Sequence, residues 1–240
     1  MATFVLTHGG GMGGWVWKFV RPLLRDAGHD VFTPTFTGFG ERIHLLSRDV
    51  DNATHVTDIV NVLECEDISD CVMVGHSYAG TVLPGVKAAA GGRVRRYVYL
   101  DGLIPRQGES IAEALGFMPR EQAQGMVAML RSGQGPIGSG VHQQQREMAR
   151  QQPHMMSRER EKWLLDHLSD MPLLCTVNPI AVGAETISAP VDYVAATHTI
   201  MKPMHERARA LGWRMHEIQG DHAFIVGEPE ATARLLLSLA

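Results

Sequence analysis

The sequence predicts an α/β fold: a mostly parallel central sheet with helices on both faces and a helical insertion laid over it. Three observations carry that expectation. Short β-rich runs alternate with helical segments through most of the 240 residues. Each run is apolar throughout, as a strand covered on both faces must be. From Ile104 to about Pro190 the alternation stops, and helical stretches containing Gln and Met follow with no convincing strand.

In chain order, strands are expected at residues 3–7, 31–36, 71–75, 97–101, 191–197 and 214–218. Helices are expected between them at 17–27, 54–64, 79–90, 204–211 and 229–239. Residues 1–103 and 190–240 therefore form the sheet core, and 104–189 is the insertion, expected to act as a lid. Within it, Ser132 through Gly140 carries four glycines and reads as a flexible connection between lid helices. The polar block from Gln143 to Gln152 reads as a solvated helix face.

Composition narrows the functional classes. A formal charge of −4 with no long basic run points to neither nucleic acid nor an anionic membrane surface as a partner, and leaves small molecules. The densest basic cluster, Arg93-Val94-Arg95-Arg96, precedes an apolar run and reads as a solvated approach to a strand. Cys65, Cys71 and Cys175 are odd in number and lack metal-like spacing, so reduced thiols in a cytoplasmic setting are expected, and no metal site. The N-terminus runs straight into Thr3 to Thr7 without a secretory pattern, and no apolar stretch reaches the ~20 residues of a membrane helix.

The most informative stretch is Val72-Met73-Val74-Gly75-His76-Ser77-Tyr78-Ala79-Gly80. A buried strand ends in a small-residue turn that opens a helix, which presents Ser77 as the nucleophile of a strand-to-helix elbow. The usual pattern has glycine two residues after the serine; this chain has Ala79 there and glycine one position later. Serine needs a base, and His222 is the candidate, because Gln219-Gly220-Asp221-His222-Ala223 lies between the last expected strand and the C-terminal helix. His8, His76, His198, His205 and His216 lack that placement.

The acid is less plain. In this architecture a carboxylate normally follows the penultimate strand, yet Val194-Ala195-Ala196-Thr197-His198-Thr199 contains none. Asp101, at the end of Val98-Tyr99-Leu100, is the preferred candidate, with Asp192 and Asp221 as alternatives. Thr197 or His198 holding the imidazole without a carboxylate is a further possibility. Acyl transfer also needs backbone donors for an oxyanion. The loop His8-Gly9-Gly10-Gly11-Met12-Gly13-Gly14 follows the first strand and offers the N–H of Gly10, to be paired with that of Tyr78. A phosphate cradle is disfavoured, since no Gly-Lys-Ser/Thr ending or dinucleotide spacing accompanies the glycines.

With these elements placed, the chain resembles the α/β-hydrolases, and among them the small esterases related to hydroxynitrile lyases and plant methyl esterases. The resemblance rests on His8-Gly9-Gly10 with Gly14-Trp15-Val16-Trp17, Ala27-Gly28-His29-Asp30-Val31, Thr37-Gly38-Phe39-Gly40-Glu41-Arg42, Gly75-His76-Ser77-Tyr78-Ala79-Gly80, and Arg207-Ala208-Arg209-Ala210-Leu211-Gly212-Trp213. It implies Ser77 and His222 as nucleophile and base, Gly10 and Tyr78 as oxyanion donors, a helical cap over a small apolar pocket, and a homodimer. Hydroxynitrile lyases of this group carry lysine directly after the catalytic histidine; Ala223 argues against cyanohydrin cleavage. Met118, Met126, Met129, Met148, Met155, Met156 and Met171, with Phe117 and Trp163, would suit an apolar or aromatic substrate group, although for most of them plain lid core is the favoured reading. The expected activity is cofactor-independent hydrolysis of a small carboxylic ester. The rivals are a lyase, lactonase, cyclase or cofactor-free oxygenase on the same base, and a slow ligand receptor.

Overall fold

The computed structural model describes residues 1–90, 92–152 and 154–240. Among these, strands β1 (Thr3–Thr7), β2 (Asp30–Phe32), β3 (Cys71–His76), β4 (Val94–Leu100), β5 (Val191–His198) and β6 (Arg214–Asp221) build one sheet. Its order is β2-β1-β3-β4-β5-β6, and every pairing is parallel. The helices of the core are α1 (Arg21–Asp26), α2 (Asn52–Cys65) and α3 (Leu83–Ala89). Between β4 and β5 come α4 (Ile111–Ala114), α5 (Arg120–Arg131), α6 (Val141–Gln151), α7 (Arg158–His167) and α8 (Leu174–Val177). The chain then adds α9 (Lys202–Ala210), α10 (Phe224–Gly227) and α11 (Pro229–Ser238).

Alternation along each strand explains the two helical layers. Val5, Met73, Tyr97, Tyr99 and Tyr193 face one side, where Ile59, Leu63, Val86, Met204 and Ala208 of α2, α3 and α9 cover them. Leu6, Val72, Val74, Val98 and Val194 face the other, under Leu24 of α1, Phe224 of α10 and Leu236 of α11. Both faces are dry, which is why the strands read as continuous apolar runs.

β4 begins at Val94, so Arg95 and Arg96 of the basic cluster lie within the strand, and β6 runs on to Asp221. Three further elements differ from the sequence expectation, each for a local reason. β2 stops at Phe32, short of residue 36. Pro34 supplies no ladder donor, and the Thr33 carbonyl lies so close to Gly14 that a Cβ there would meet it at 2.0 Å. The helix expected at 17–27 is a 3-10 turn, Gly14–Lys18, followed by α1, which begins where Pro22 can occupy a first turn. The helix expected at 79–90 divides in the same way into a 3-10 turn, Ser77–Thr81, and α3 with Pro84 in its first turn.

The 104–189 segment contains helices and, among the described residues, a single isolated bridge between Gly138 and Pro172 in place of a strand. It reaches the glycine loop after β1: Ser169 N–H donates to the Gly11 carbonyl (2.9 Å), and Gln145 Nε2 to that of Gly10 (3.2 Å). The 132–140 stretch is held in part by Arg48, which donates to the Gln134 carbonyl at 2.8 Å. No helix among the described residues is long and apolar enough to cross a membrane.

Candidate active site

The C-terminal ends of β3, β4 and β6 converge, and each delivers one polar side chain. β3 delivers Ser77. Its φ of +52° lies in the left-handed region, a conformation that non-glycine residues adopt at a cost and that projects the side chain from the turn. Small neighbours make the turn possible. A Cβ on Gly75 would lie 2.9 Å from Leu83 Cδ1, and one on Gly80 would lie 2.5 Å from the Leu103 carbonyl oxygen. The second contact is with backbone, which gives way only at a cost, so a side chain at 80 is strongly disfavoured. The displaced glycine of the elbow therefore sits where a neighbouring backbone passes.

Ser77 Oγ lies 2.8 Å from His222 Nε2, and His222 Nδ1 lies 2.6 Å from Asp101 Oδ2. A carboxylate only accepts, so Nδ1 carries the proton; in the neutral ring Nε2 is then the lone-pair nitrogen facing the serine hydroxyl. Asp101 stands just past β4 with φ +46° and is fully buried. It accepts further hydrogen bonds from Thr199 Oγ1 (2.6 Å) on Oδ2 and from His205 Nε2 (2.7 Å) and Ala196 N–H (3.3 Å) on Oδ1. Burial pushes this carboxyl up, but the bonds from His205, His222 and Thr199 outweigh it and hold the group well below the usual carboxylate range.

The competing acids point elsewhere. Asp192 pairs with Arg96 and accepts from His216 Nε2 at 2.7 Å. Asp221 is taken up by the N–H of Met155 (2.6 Å), His154 Nδ1 (3.1 Å) and the N–H of Ala223 (2.8 Å). Thr197 Oγ1 bonds the Gly220 N–H at 3.0 Å and His198 Nδ1 at 2.9 Å, so neither residue holds the His222 ring.

The glycine loop passes beside the elbow. A Cβ on Gly9 would meet Ser77 Cβ at 3.0 Å, and one on Gly10 would meet Tyr78 Cβ at 3.9 Å and Met171 Sδ at 3.0 Å. The Gly9–Gly10 peptide is held from behind by His8, whose Nδ1 donates to the Gly9 carbonyl (2.9 Å) while Nε2 accepts from the Phe36 N–H (3.1 Å). These partners fix one neutral tautomer, and burial lowers the His8 pKa to about 3. Tyr78 opens the turn after Ser77, where backbone N–H groups lack intrahelical partners. Its hydroxyl lies 2.6 Å from His55 Nδ1, and His55 Nε2 lies 2.9 Å from the Thr37 carbonyl. His76 faces away from the serine. Its Nε2 donates to the His222 carbonyl at 2.9 Å, and burial, reinforced by the His222 ring, lowers its pKa to about 3.

Of the methionines in the 104–189 segment, Met171 is the one beside Gly10. Met118 and Met126 pack in a separate cluster with Ala112, Ala123, Leu130 and Leu174, and Met148 and Met155 are exposed. Trp163 packs edge-on against Trp15 and Phe19. Sequence reasoning passed over His205, though a signal existed: Met204, His205 and Ala208 of α9, with Met201 at its N-cap, form a buried stripe at helical spacing, and one member is a histidine.

Residues 4–235 match the model of the alpha/beta hydrolase family. A carbendazim hydrolyzing esterase of Nocardioides sp. (strain SG-4G) is 44% identical over 115 residues, covering 48% of this chain and 48% of that protein. Polyneuridine aldehyde esterase of Rauvolfia serpentina is 25% identical over 111 residues, covering 45% of this chain and 41% of that protein. The matches thus span about half the length of these relatives, or less. An extracellular alpha/beta-hydrolase from a Paenibacillus species, described as sharing homology with tobacco salicylic acid binding protein 2, superposes with a TM-score of 0.73 at 22% identity. That match covers 99% of this chain and 98% of the other, and the likeness concerns the fold.

Proposed function

The chain belongs to the alpha/beta hydrolase family, and on that premise we propose that it is a serine hydrolase cleaving a small, apolar or aromatic carboxylic ester through an acyl-enzyme. The observation that carries the reading is the continuous hydrogen-bonded line from Ser77 Oγ through His222 to Asp101, at 2.8 and 2.6 Å. His222 takes the hydroxyl proton as Ser77 Oγ attacks the ester carbonyl, and Asp101 stabilises the resulting imidazolium. The N–H groups of Gly10 and Tyr78 receive the oxyanion, a contribution of about 3 kcal/mol per donor. His222 then passes the proton to the departing alkoxide, and water, deprotonated by the same ring, releases the acid.

The relatives named as esterases support ester cleavage as the reaction class. Met171 against Gly10 supports an apolar wall to the acyl or alcohol subsite. Residues 104–189 act as a cap, a role supported by the bonds from Gln145 and Ser169 to the Gly10 and Gly11 carbonyls. Free thiols at Cys65, Cys71 and Cys175, with Cys65 exposed, support a reducing, cytoplasmic setting. Stopped-flow hydrolysis of p-nitrophenyl acetate tests the reading. A burst of p-nitrophenol in the intact protein, lost in Ser77→Ala, is expected; turnover that survives the substitution excludes a Ser77 acyl-enzyme.

A further inference from the structure

The structure assigns His205 a role that reaches the reaction through Asp101: we infer that it is a positioning residue, whose Nε2–H anchors Oδ1 and so keeps Oδ2 aimed at His222 Nδ1. The inference rests on the proposal above that Ser77, His222 and Asp101 are the hydrolytic groups.

A buried carboxylate at a strand end can rotate about two bonds, and only the donors around it decide which oxygen meets which partner. Four donors surround Asp101, two on each oxygen. On Oδ2 are His222 Nδ1 (2.6 Å) and Thr199 Oγ1 (2.6 Å); on Oδ1 are His205 Nε2 (2.7 Å) and the Ala196 N–H at the longer 3.3 Å. His205 is thus the short contact on the oxygen that His222 does not use. It is also the better fixed of the two histidines. It lies on α9, its backbone N–H donates to the Met201 carbonyl (3.2 Å), and its ring packs edge-on against Tyr193 at 5.5 Å. Tyr193 in turn donates its hydroxyl to the Gly102 carbonyl at 3.0 Å, next to Asp101. His205 is buried, whereas the His222 side chain keeps 29% of its surface exposed.

The arrangement also accounts for the missing carboxylate after β5. The chain beyond that strand supplies Thr199 and His205, both donors, and the acid they hold stands after the neighbouring strand β4. Because a carboxylate only accepts, His205 must carry its proton on Nε2. A hydrogen bond to a buried charge is among the stronger ones, and its loss lets the carboxylate turn toward the donors that remain.

Two variants and one spectrum test this. His205→Leu removes the donor and fills part of the ring's volume with apolar atoms; His205→Gln keeps an amide N–H near the Nε2 position. With p-nitrophenyl acetate, His205→Leu is expected to lower kcat by about 10- to 100-fold with little change in KM, while His205→Gln recovers kcat to within about fivefold of the parent. A His205→Leu protein with unaltered kcat, or a His205→Gln protein as slow as His205→Leu at equal thermal stability, overturns the inference. If His205→Leu does not fold, 15N-histidine NMR of the intact protein decides: His205 Nε2 is expected to be protonated and hydrogen-bonded, and an unprotonated Nε2 overturns the assignment. The spectrum does not depend on turnover. Absence of any Ser77-dependent ester turnover in the intact protein would fail the hydrolase reading alone.

Discussion

Asp101→Asn isolates what the carboxylate does, because the amide matches it in shape and differs in offering one acceptor and one donor. In the parent, both oxygens receive two hydrogen bonds each, so the new NH2 group must face donors in either orientation. Placed at Oδ1 it opposes the Ala196 N–H, which cannot change sign. Placed at Oδ2 it opposes Thr199, whose hydroxyl can rotate and accept, and His222, whose ring can move its proton from Nδ1 to Nε2. The second orientation is therefore preferred, and it leaves His222 with an Nε2–H toward Ser77 Oγ, 2.8 Å away, unable to take the serine proton. The equivalent substitution in a serine protease triad lowers kcat by about 10⁴. The same logic gives about 10³- to 10⁴-fold here, roughly 4 to 5 kcal/mol in the barrier. Stability should change much less, by no more than about 2 kcal/mol, since lost charged hydrogen bonds are offset by a smaller desolvation penalty. Steady-state kinetics with p-nitrophenyl acetate, alongside thermal unfolding, measures both. Retention of a tenth or more of the parent kcat would refute the tautomer argument.

Three other tests probe the supporting structure. Gly80→Ala places a Cβ 2.5 Å from the Leu103 carbonyl and should destabilise by at least about 2 kcal/mol, visible as a Tm drop of several degrees, whereas Ala79→Gly should cost about 1 kcal/mol or less. His55→Leu removes the partner of the buried Tyr78 hydroxyl and should cost about 1 to 3 kcal/mol in denaturant unfolding, with slower turnover because the adjoining peptide supplies a proposed oxyanion donor. The third concerns pH. The His154 pKa is raised chiefly by its hydrogen bond to Asp221, and that of Asp221, opposed by burial, is lowered by His154 and by the Met155 and Ala223 N–H groups. The raised His154 stabilises the fold below its unfolded value near 6.5, and that contribution disappears as pH rises through the higher folded value. Parent and His154→Ala should therefore differ more in stability at pH 6 than at pH 9; an equal gap at both would show that the pair is not coupled to folding.

How much was legible in the sequence depended on how local the cause is. The elbow was readable because its motif lies within six consecutive residues and Gly75 is crowded by the turn and helix that follow it, whereas Gly80 is kept small by the Leu103 backbone beyond β4, a cause the local sequence does not carry. His222 was readable from chain order, since the loop after the last strand must emerge on the same edge as Ser77. Asp101 was reachable by elimination, once no carboxylate stood after the penultimate strand, but its contact with His222 spans 121 residues and no periodicity encodes it. His205 was passed over because its partner is 104 residues away and its helix otherwise presents a plain apolar stripe. The methionine-rich segment misled in part: methionine marks irregular apolar packing wherever it occurs, and Met118 and Met126 fill a cluster of their own.

The central claim is that Ser77 becomes covalently acylated. It is tested most directly by treating the protein with a fluorophosphonate that mimics the tetrahedral state and locating the adduct by peptide mass spectrometry. A single adduct on Ser77, formed in the intact protein and strongly slowed in His222→Ala and Asp101→Asn, is the predicted result. No adduct at Ser77 in a folded protein, or labelling there at an undiminished rate in both variants, would contradict the account.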